Sequence, residues 1–344
     1  MRKHLNEASS ATCTPKSRIA YIDAMRGTTM ILVVYSHVCG FCLGDSWMGF
    51  NDVFFLFRLP CFFFISGWLF QPSEGRPFWP VTRHKLMVQI VPTVIFLLLL
   101  APPPLFFSRL GATKGGYWFT FALFEFFVLY LLSARLGRRW SALLAVVISV
   151  AAYSYDACYH LLQPAAGPTR WVTDVLGLLS FMTWRYYLFF YIGTWVRRHF
   201  SDFQKWTDRP AVMALAVAGF GGIALLPHAE NAVMSYLVFA VGGVFGLTIV
   251  FTLFRRYYPD RPSALTFVGQ RTLDIYLLHY FFLPRFLTSY GPQLRAYDSK
   301  LLELGVGLTV ALAVVGLCLA VSYVIRLSPL LGHILFGAKY EKGR

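Results

Sequence analysis

Asp23, Arg26 and His37 fall in the first long apolar run of the chain, and together they hold the means for acid and base chemistry. Eleven residues separate Arg26 from His37, which at ~100° per helical residue returns to within about 20° of one face, with Asp23 only about 60° away. All three are expected to look into a helix bundle. The same spacing sets Arg26 and His37 about 16 Å apart along the axis, so one helix would serve two depths. An ionised group at the centre of a membrane helix costs about 2.5 to 3.5 kcal/mol on insertion scales, so each needs a reason to be there. For Asp23 and Arg26 an (i, i+3) ion pair at the helix end is an equally good reason. His37 is harder to explain by packing, because further polar groups are expected at its level.

Those groups are Arg58, Glu125 and His279, which counting along the apolar runs sets with His37 about 6 to 12 Å below the outer membrane surface. Arg271 and Asp274 join Arg26 in a second layer near the opposite surface. A histidine beside a carboxylate and an arginine is suited to general base work, since its unperturbed pKa of about 6.5 lets it take a proton at neutral pH. A proton-coupled transporter would use similar groups, so these residues alone leave enzyme and transporter both open. Cys39 and Cys42 have the spacing of a redox pair but lack the strand-then-helix setting such a motif needs. Cys13, Cys61, Cys158 and Cys318 are isolated and read as buried free thiols.

The elements that must position these groups follow from composition. Of the 344 residues 57% are hydrophobic and 14% charged, against roughly 25% charged in soluble proteins, so the bilayer is the expected solvent. Apolar runs of about 20 residues exclude disorder, a collagen repeat and a disulfide scaffold. They predict an all-α polytopic membrane protein of about ten spans, at 22–43, 50–70, 86–107, 117–132, 141–162, 172–196, 211–226, 232–254, 265–283 and 301–325. Residues 1–18 are polar without a cleavable signal pattern and read as a cytoplasmic tail. Residues 19–326 form a single transmembrane domain in this reading, and 327–344 a basic cytoplasmic tail. With the amino terminus inside, 21 of the 31 Lys and Arg fall in inner segments and 6 in outer loops. That bias satisfies the positive-inside rule with both termini cytoplasmic. It also accounts for the net charge of +15 without nucleic acid.

The stretch Tyr21-Ile-Asp-Ala-Met-Arg-Gly-Thr-Thr-Met-Ile-Leu-Val-Val-Tyr-Ser-His37 resembles the opening of the acyltransferase 3 family of membrane O-acyltransferases, whose first helix carries an arginine and a histidine separated by ten residues. Phe57-Arg-Leu-Pro-Cys-Phe-Phe-Phe-Ile-Ser-Gly-Trp-Leu-Phe70 resembles the second helix, especially in the fucose 4-O-acetylase-like branch. That branch often has histidine where this chain has Arg58, an exchange of a titratable group for a permanent cation. Thr82-Arg-His-Lys-Leu-Met-Val-Gln-Ile-Val-Pro92 resembles the basic start of the third helix, where two arginines three apart are common. Arg83 matches the first, Leu86 stands at the second, and Lys85 offers a substitute. Trp118-Phe119 and the segment from Phe267 to His279 also look similar to family elements.

The resemblance implies transfer of an acyl group, most often acetyl, from cytoplasmic acyl-coenzyme A to a sugar hydroxyl of a surface or lipid-linked glycan. The setting implied is a bacterial cytoplasmic (inner) membrane. His37, Arg26 and Asp23 are the catalytic candidates. Arg58, Arg83, Lys85, Glu125, Trp118, Arg271 and His279 are the candidates for binding substrate and acyl-coenzyme A. The co-substrate is acetyl-coenzyme A or another acyl-coenzyme A, no metal is expected, and the partners are the donor, the glycan and membrane lipids. In this picture the polyanionic coenzyme docks at Arg83, Lys85 and Arg26. His37 deprotonates the acceptor hydroxyl and Arg58 stabilises the oxyanion. The rival readings are a secondary transporter or flippase for a polar or anionic solute, against which no inverted repeat of broken helices is visible, and a structural membrane partner with a degenerate site.

Overall fold

Apolar helices make up nearly all of the computed structural model, which describes residues 19–70, 77–101, 113–162, 168–226 and 232–338, with no strand among them. Asn51–Phe70, Phe78–Leu100, Trp118–Leu136, Met234–Tyr257 and Lys300–Arg326 are each long and apolar enough to cross a bilayer, with mean hydropathy of 1.5 to 2.6. Trp171–Leu178 and Phe181–Arg198 pass the same test as a pair bent by 51°. The chain is therefore an all-helical membrane protein. The other apolar segments of the sequence coincide with α1 (Ala20–His37), with the helices Arg138–Leu162 and Pro210–Ala224, and with a helix broken at Arg271 into Ala264–Gln270 and Thr272–Phe282. The tail expected over 1–18 lies outside the described residues, as do 339–344 of the second tail. Within that second tail, Pro329–Phe336 is a short helix.

We label Asn51–Phe70 α2, Phe78–Leu100 α3, Trp118–Ser133 α4, Pro168–Leu178 α5, Tyr187–Arg198 α6, Ala264–Gln270 α7, Thr272–Phe282 α8 and Lys300–Arg326 α9. Two close pairings position the site. Helix α1 lies against α7 through Gly27 and Gly269; a Cβ at Gly27 would stand 2.2 Å from Leu265 O, and one at Gly269 would stand 1.7 Å from Asp23 O. Helix α2 lies against α6 through Gly67 and Gly193, where a Cβ would stand 2.0 Å from Phe190 O and from Phe64 O respectively. In lipid, where apolar side chains gain nothing by leaving solvent, such backbone approach supplies the packing that holds helices together. Asp274 of α8 is tied to α9 by Arg326 Nε and Nη2, both at 2.8 Å, and by Ser322 Oγ at 2.5 Å. That network satisfies a buried carboxylate and fixes α8 beside α9.

Helix α1 does not end cleanly. Directly after His37 the chain widens into a π-turn over Val38–Cys42, and α3 contains a second one at Leu86–Ile90, directly after Lys85. Such one-residue expansions re-aim the side chains on either side of them and often occur at functional sites.

Candidate active site

His37 sits at the end of α1 with three rings around it. His279 lies 5.0 Å away between centroids, Tyr280 5.2 Å, and Phe41 is stacked at 5.6 Å. Tyr280 Oη is 3.4 Å from His37 Nε2 and donates to Gly116 O at 3.1 Å. With its single proton on Gly116 O, the tyrosine accepts from Nε2–H of His37. That leaves Nδ1 as the basic nitrogen, with no hydrogen-bond partner among the described residues. His279 is fully buried, and its Nδ1 faces Tyr276 O at 2.7 Å and Ile275 O at 3.2 Å. Two carbonyl neighbours require the proton on Nδ1, so Nε2 remains a buried acceptor without a partner.

Arg58 is 8% exposed, bonds through Nη1 to Asn51 Oδ1, and stands 5.7 Å from the Phe55 ring. Asn51 is fixed in turn by donating to Ser46 O. Among the described residues Arg58 has no carboxylate partner, so its positive charge is buried and uncompensated. A buried cation of this kind is costly unless an anion forms beside it during function.

His37, Arg58 and Trp118 line one cavity of about 230 Å³, with Ser36, Tyr186 and Arg185 also on its walls. A second cavity of about 270 Å³ lies toward the end of the bundle where α1 begins, lined by Arg26, Lys85, Gln89 and Thr272. Phe62, Phe119 and Tyr276 line both cavities and so form the partition between them. Their rings are in contact, with centroids 4.8 Å apart for Phe62 and Phe119 and 5.6 Å for Phe119 and Tyr276. A third cavity, of about 250 Å³, lies at the far end and shares Phe55 and Arg185 with the chamber that holds His37. The three form a row along the bundle.

The structure brings some of the expected residues together and separates others. Arg26 reaches Thr272 Oγ1 at 2.7 Å at the break between α7 and α8. Asp23 is buried and accepts from Gln270 Nε2 at 3.2 Å, so it serves the α1–α7 contact. Lys85 packs its ammonium 4.4 Å from the Phe127 ring in the second cavity, whereas Arg83 is exposed and lines none of the three. Arg271 pairs with Asp274 at 3.7 Å outside the cavities. Glu125 points away from the chamber and accepts from Trp184 Nε1 at 2.7 Å. His279 backs His37 without lining the chamber.

Four contributors were not singled out in the sequence: Asn51, Tyr276, Tyr280 and Arg185. The first three carry no signal in an apolar or loop context. Arg185 does, because an arginine inside an apolar segment is by itself a functional pointer. It sits in a 3-10 turn, Phe181–Tyr186, at the bend between α5 and α6. Among the described residues no cluster of three His, Cys, Asp or Glu could hold a metal ion, and Cys39, Cys42, Cys61 and Cys318 are free and buried.

No curated protein and no solved structure gave a match to the chain. The acyltransferase 3 family, described as an acyltransferase domain, matches residues 19–327, which includes every side chain of the three cavities. That match spans most of an apolar helical bundle whose cavities hold Arg26, Lys85, Arg58 and His37, and the chain belongs to the acyltransferase 3 family and is a membrane acyltransferase.

Proposed function

We propose that the chain transfers an acyl group, in the first instance acetyl, from cytoplasmic acyl-coenzyme A to a sugar hydroxyl of a surface or lipid-linked glycan. The observation that carries this reading is the row of cavities, with cations at one end and a histidine beside a buried arginine in the middle. The nucleotide of the donor would rest on Lys85 and Arg26, and its thin pantetheine arm would part Phe62 and Phe119 to bring the thioester into the chamber. There His37 Nδ1 takes the proton of the acceptor hydroxyl as its oxygen attacks the thioester carbonyl. Arg58 stabilises the oxyanion, a charge that its own uncompensated guanidinium is held ready to meet. The carbon–sulfur bond then breaks, and the coenzyme A thiolate leaves with the proton held by His37.

The orientation belongs to the same proposal: ten spans, both termini cytoplasmic, in a bacterial inner membrane, with the end where α1 begins facing the cytoplasm. A transporter reading has less support, because the aromatic partition of Phe62, Phe119 and Tyr276 gives no obvious path for a bulky polar solute. The test is release of free coenzyme A by the purified chain in sealed vesicles of known orientation. Acetyl-coenzyme A is expected to work only from the basic face and methyl glycoside acceptors only from the opposite face. Absence of acceptor-dependent release under every arrangement would remove the acyltransfer chemistry proposed for this site.

A further inference from the structure

Glu303, on the first turn of α9, is buried at 9% exposure and takes no part in the chemistry above. Its hydrogen bond goes to the backbone of a distant segment: Gly49 N–H donates to Oε2 at 2.7 Å. Among the described residues no cation stands at ion-pair distance from it, since Lys300 on the same turn faces Asp52 at 3.9 Å instead. A buried carboxylate with one donor is expensive, so it asks for a reason. We infer that Glu303 is a positioning residue for the reaction, which fixes the orientation of Arg58 through the turn at residues 46–51. The inference rests on Arg58 being the oxyanion donor, and it assigns a role to a residue that touches neither the substrate nor Arg58.

The path from Glu303 to Arg58 is continuous. Asn51 opens α2, and Arg58 follows seven residues later, which at ~100° per residue returns to within about 20° of the same face. The Asn51 amide uses both of its ends: Oδ1 accepts from Arg58 Nη1, and Nδ2 donates to Ser46 O. Its donor and acceptor are fixed relative to each other, so the place of Ser46 O decides where Oδ1 points and with it the plane of the guanidinium. The turn that carries Ser46 is gripped at one peptide unit, the one joining Met48 to Gly49. The oxygen of that unit accepts from Tyr35 Oη at 3.2 Å and from Asn51 N–H at 3.2 Å, while its N–H goes to Glu303. Donation to a carboxylate polarises the peptide and strengthens what its oxygen accepts, including the bond from Asn51. Gly49 lies in the left-handed region at φ 64°, and a Cβ there would stand 2.5 Å from Tyr35 Oη and 3.2 Å from Leu304 N. The turn is therefore seated directly between α1 and α9.

An oxyanion donor works only when it is aimed where the charge develops. Release of the Met48–Gly49 peptide unit would free Asn51 to turn, leaving the Arg58 cation in the chamber but without its aim. Misplacement of a catalytic group by about 1 Å can cost roughly 10²-fold in rate, so the loss should fall on kcat and spare both KM values. The macrodipole of α9 also favours an acidic residue in its first turn. That effect needs only a charge near the helix end, whereas the grip on Gly49 depends on the reach of the side chain. Reach and charge can be separated by substitution.

The experiment is coenzyme A release by the full chain in lipid vesicles, with acetyl-coenzyme A as donor and methyl glycosides as acceptors, joined to amide hydrogen exchange over residues 44–51. Glu303→Gln keeps an acceptor oxygen at the same reach without the charge, and its kcat should stay within about threefold of wild type. Glu303→Asp keeps the charge but falls one methylene short of Gly49, and its kcat should drop roughly tenfold with both KM values within about twofold. In an Arg58→Lys background, Glu303→Asp should change kcat by no more than about twofold, because its effect passes through the guanidinium already lost. Exchange over 44–51 should be faster in Glu303→Asp than in wild type and unchanged in Glu303→Gln. Should Glu303→Asp fail to fold, Tyr35→Phe releases the other end of the same peptide unit and takes its place with the same expectations. The inference is overturned if Glu303→Asp turns over or exchanges as wild type, if Glu303→Gln costs as much as Glu303→Asp, or if the loss persists in full beside Arg58→Lys. Normal kcat in Arg58→Lys alone is a separate result, which would remove the oxyanion reading and this inference with it.

Discussion

The chamber around His37 and the cavity around Lys85 meet at Phe119, yet they hold their charges differently. In the chamber each group is fixed by neutral partners: Arg58 by Asn51, and Asn51 by Ser46. His37 is fixed by Tyr280, and Tyr280 by Gly116. In the basic cavity the Lys85 ammonium rests over the faces of Phe127 and Phe70, at 4.4 and 5.7 Å. Fixed donors aimed at one point stabilise a charge that appears only in a transition state, whereas a cation on an aromatic platform stabilises a charge that is present throughout. The difference separates a place for chemistry from a place for binding, and it predicts which kinetic parameter each residue controls.

The largest effect is expected at His37. His37→Ala should lower kcat by roughly 10²- to 10⁴-fold, the usual range for loss of a general base, with the amount of folded protein in the membrane about unchanged. Single-turnover measurement at saturating acetyl-coenzyme A checks it. Near-normal turnover in that variant, with loss in His279→Ala, would move the base to the buried Nε2 of His279 and make His37 the backing ring.

Arg58→Lys comes next. It preserves the cation but not the planar fork that Asn51 orients, so kcat should fall by about 10²-fold, comparable to loss of one oxyanion donor, with both KM values nearly unchanged. A rise in donor KM with normal kcat would assign Arg58 to binding and erase the contrast between the two cavities.

How much of this could be read from the sequence depends on what each residue signals. Arg26 and His37 were legible because α1 is regular between them, so a fixed angle per residue carries over the whole interval. Arg58 and Lys85 were legible as cations in or beside apolar runs. Glu125 was legible as a depth but not as a direction, since its side of α4 depends on where α5 breaks and Trp184 arrives. The bend itself was not legible: 172–196 reads as one apolar run, and the 51° kink within it is set by contacts from Lys114 and Glu125 on other elements. Tyr280 and Tyr276 were invisible for a different reason, because a tyrosine in an apolar helix looks the same whether it packs or bonds. The path from sequence was shortest where one helix carried the geometry and longest where three elements met.

Lys85→Ala should act on binding alone. Removing the one lysine in the basic cavity is expected to raise the acetyl-coenzyme A KM by roughly tenfold while kcat changes by no more than about twofold, since the contact is equally present in ground and transition states. A proportionate fall in kcat would mean that the donor end takes part in the chemical step.

The smallest expected effect gives the finest division of the basic end. Arg83 and Lys85 are two residues apart and read alike in the sequence, as a pair that could hold the donor or as two ordinary membrane anchors. In the structure they differ: Lys85 lines the cavity beside Arg26, while Arg83 is exposed and outside it. Arg83→Ala should therefore leave the acetyl-coenzyme A KM within about twofold, the scale expected of a solvent-screened cation beyond direct contact. Its effect should fade further at high salt. The double variant of Arg83 and Lys85 should then match Lys85→Ala, because a residue that contributes nothing to the contact adds nothing to its loss. An Arg83→Ala variant with a donor KM raised as far as that of Lys85→Ala would show that the nucleotide extends past the cavity onto the surface of α3. The binding end would then be an open basic face rather than a cavity with one lysine.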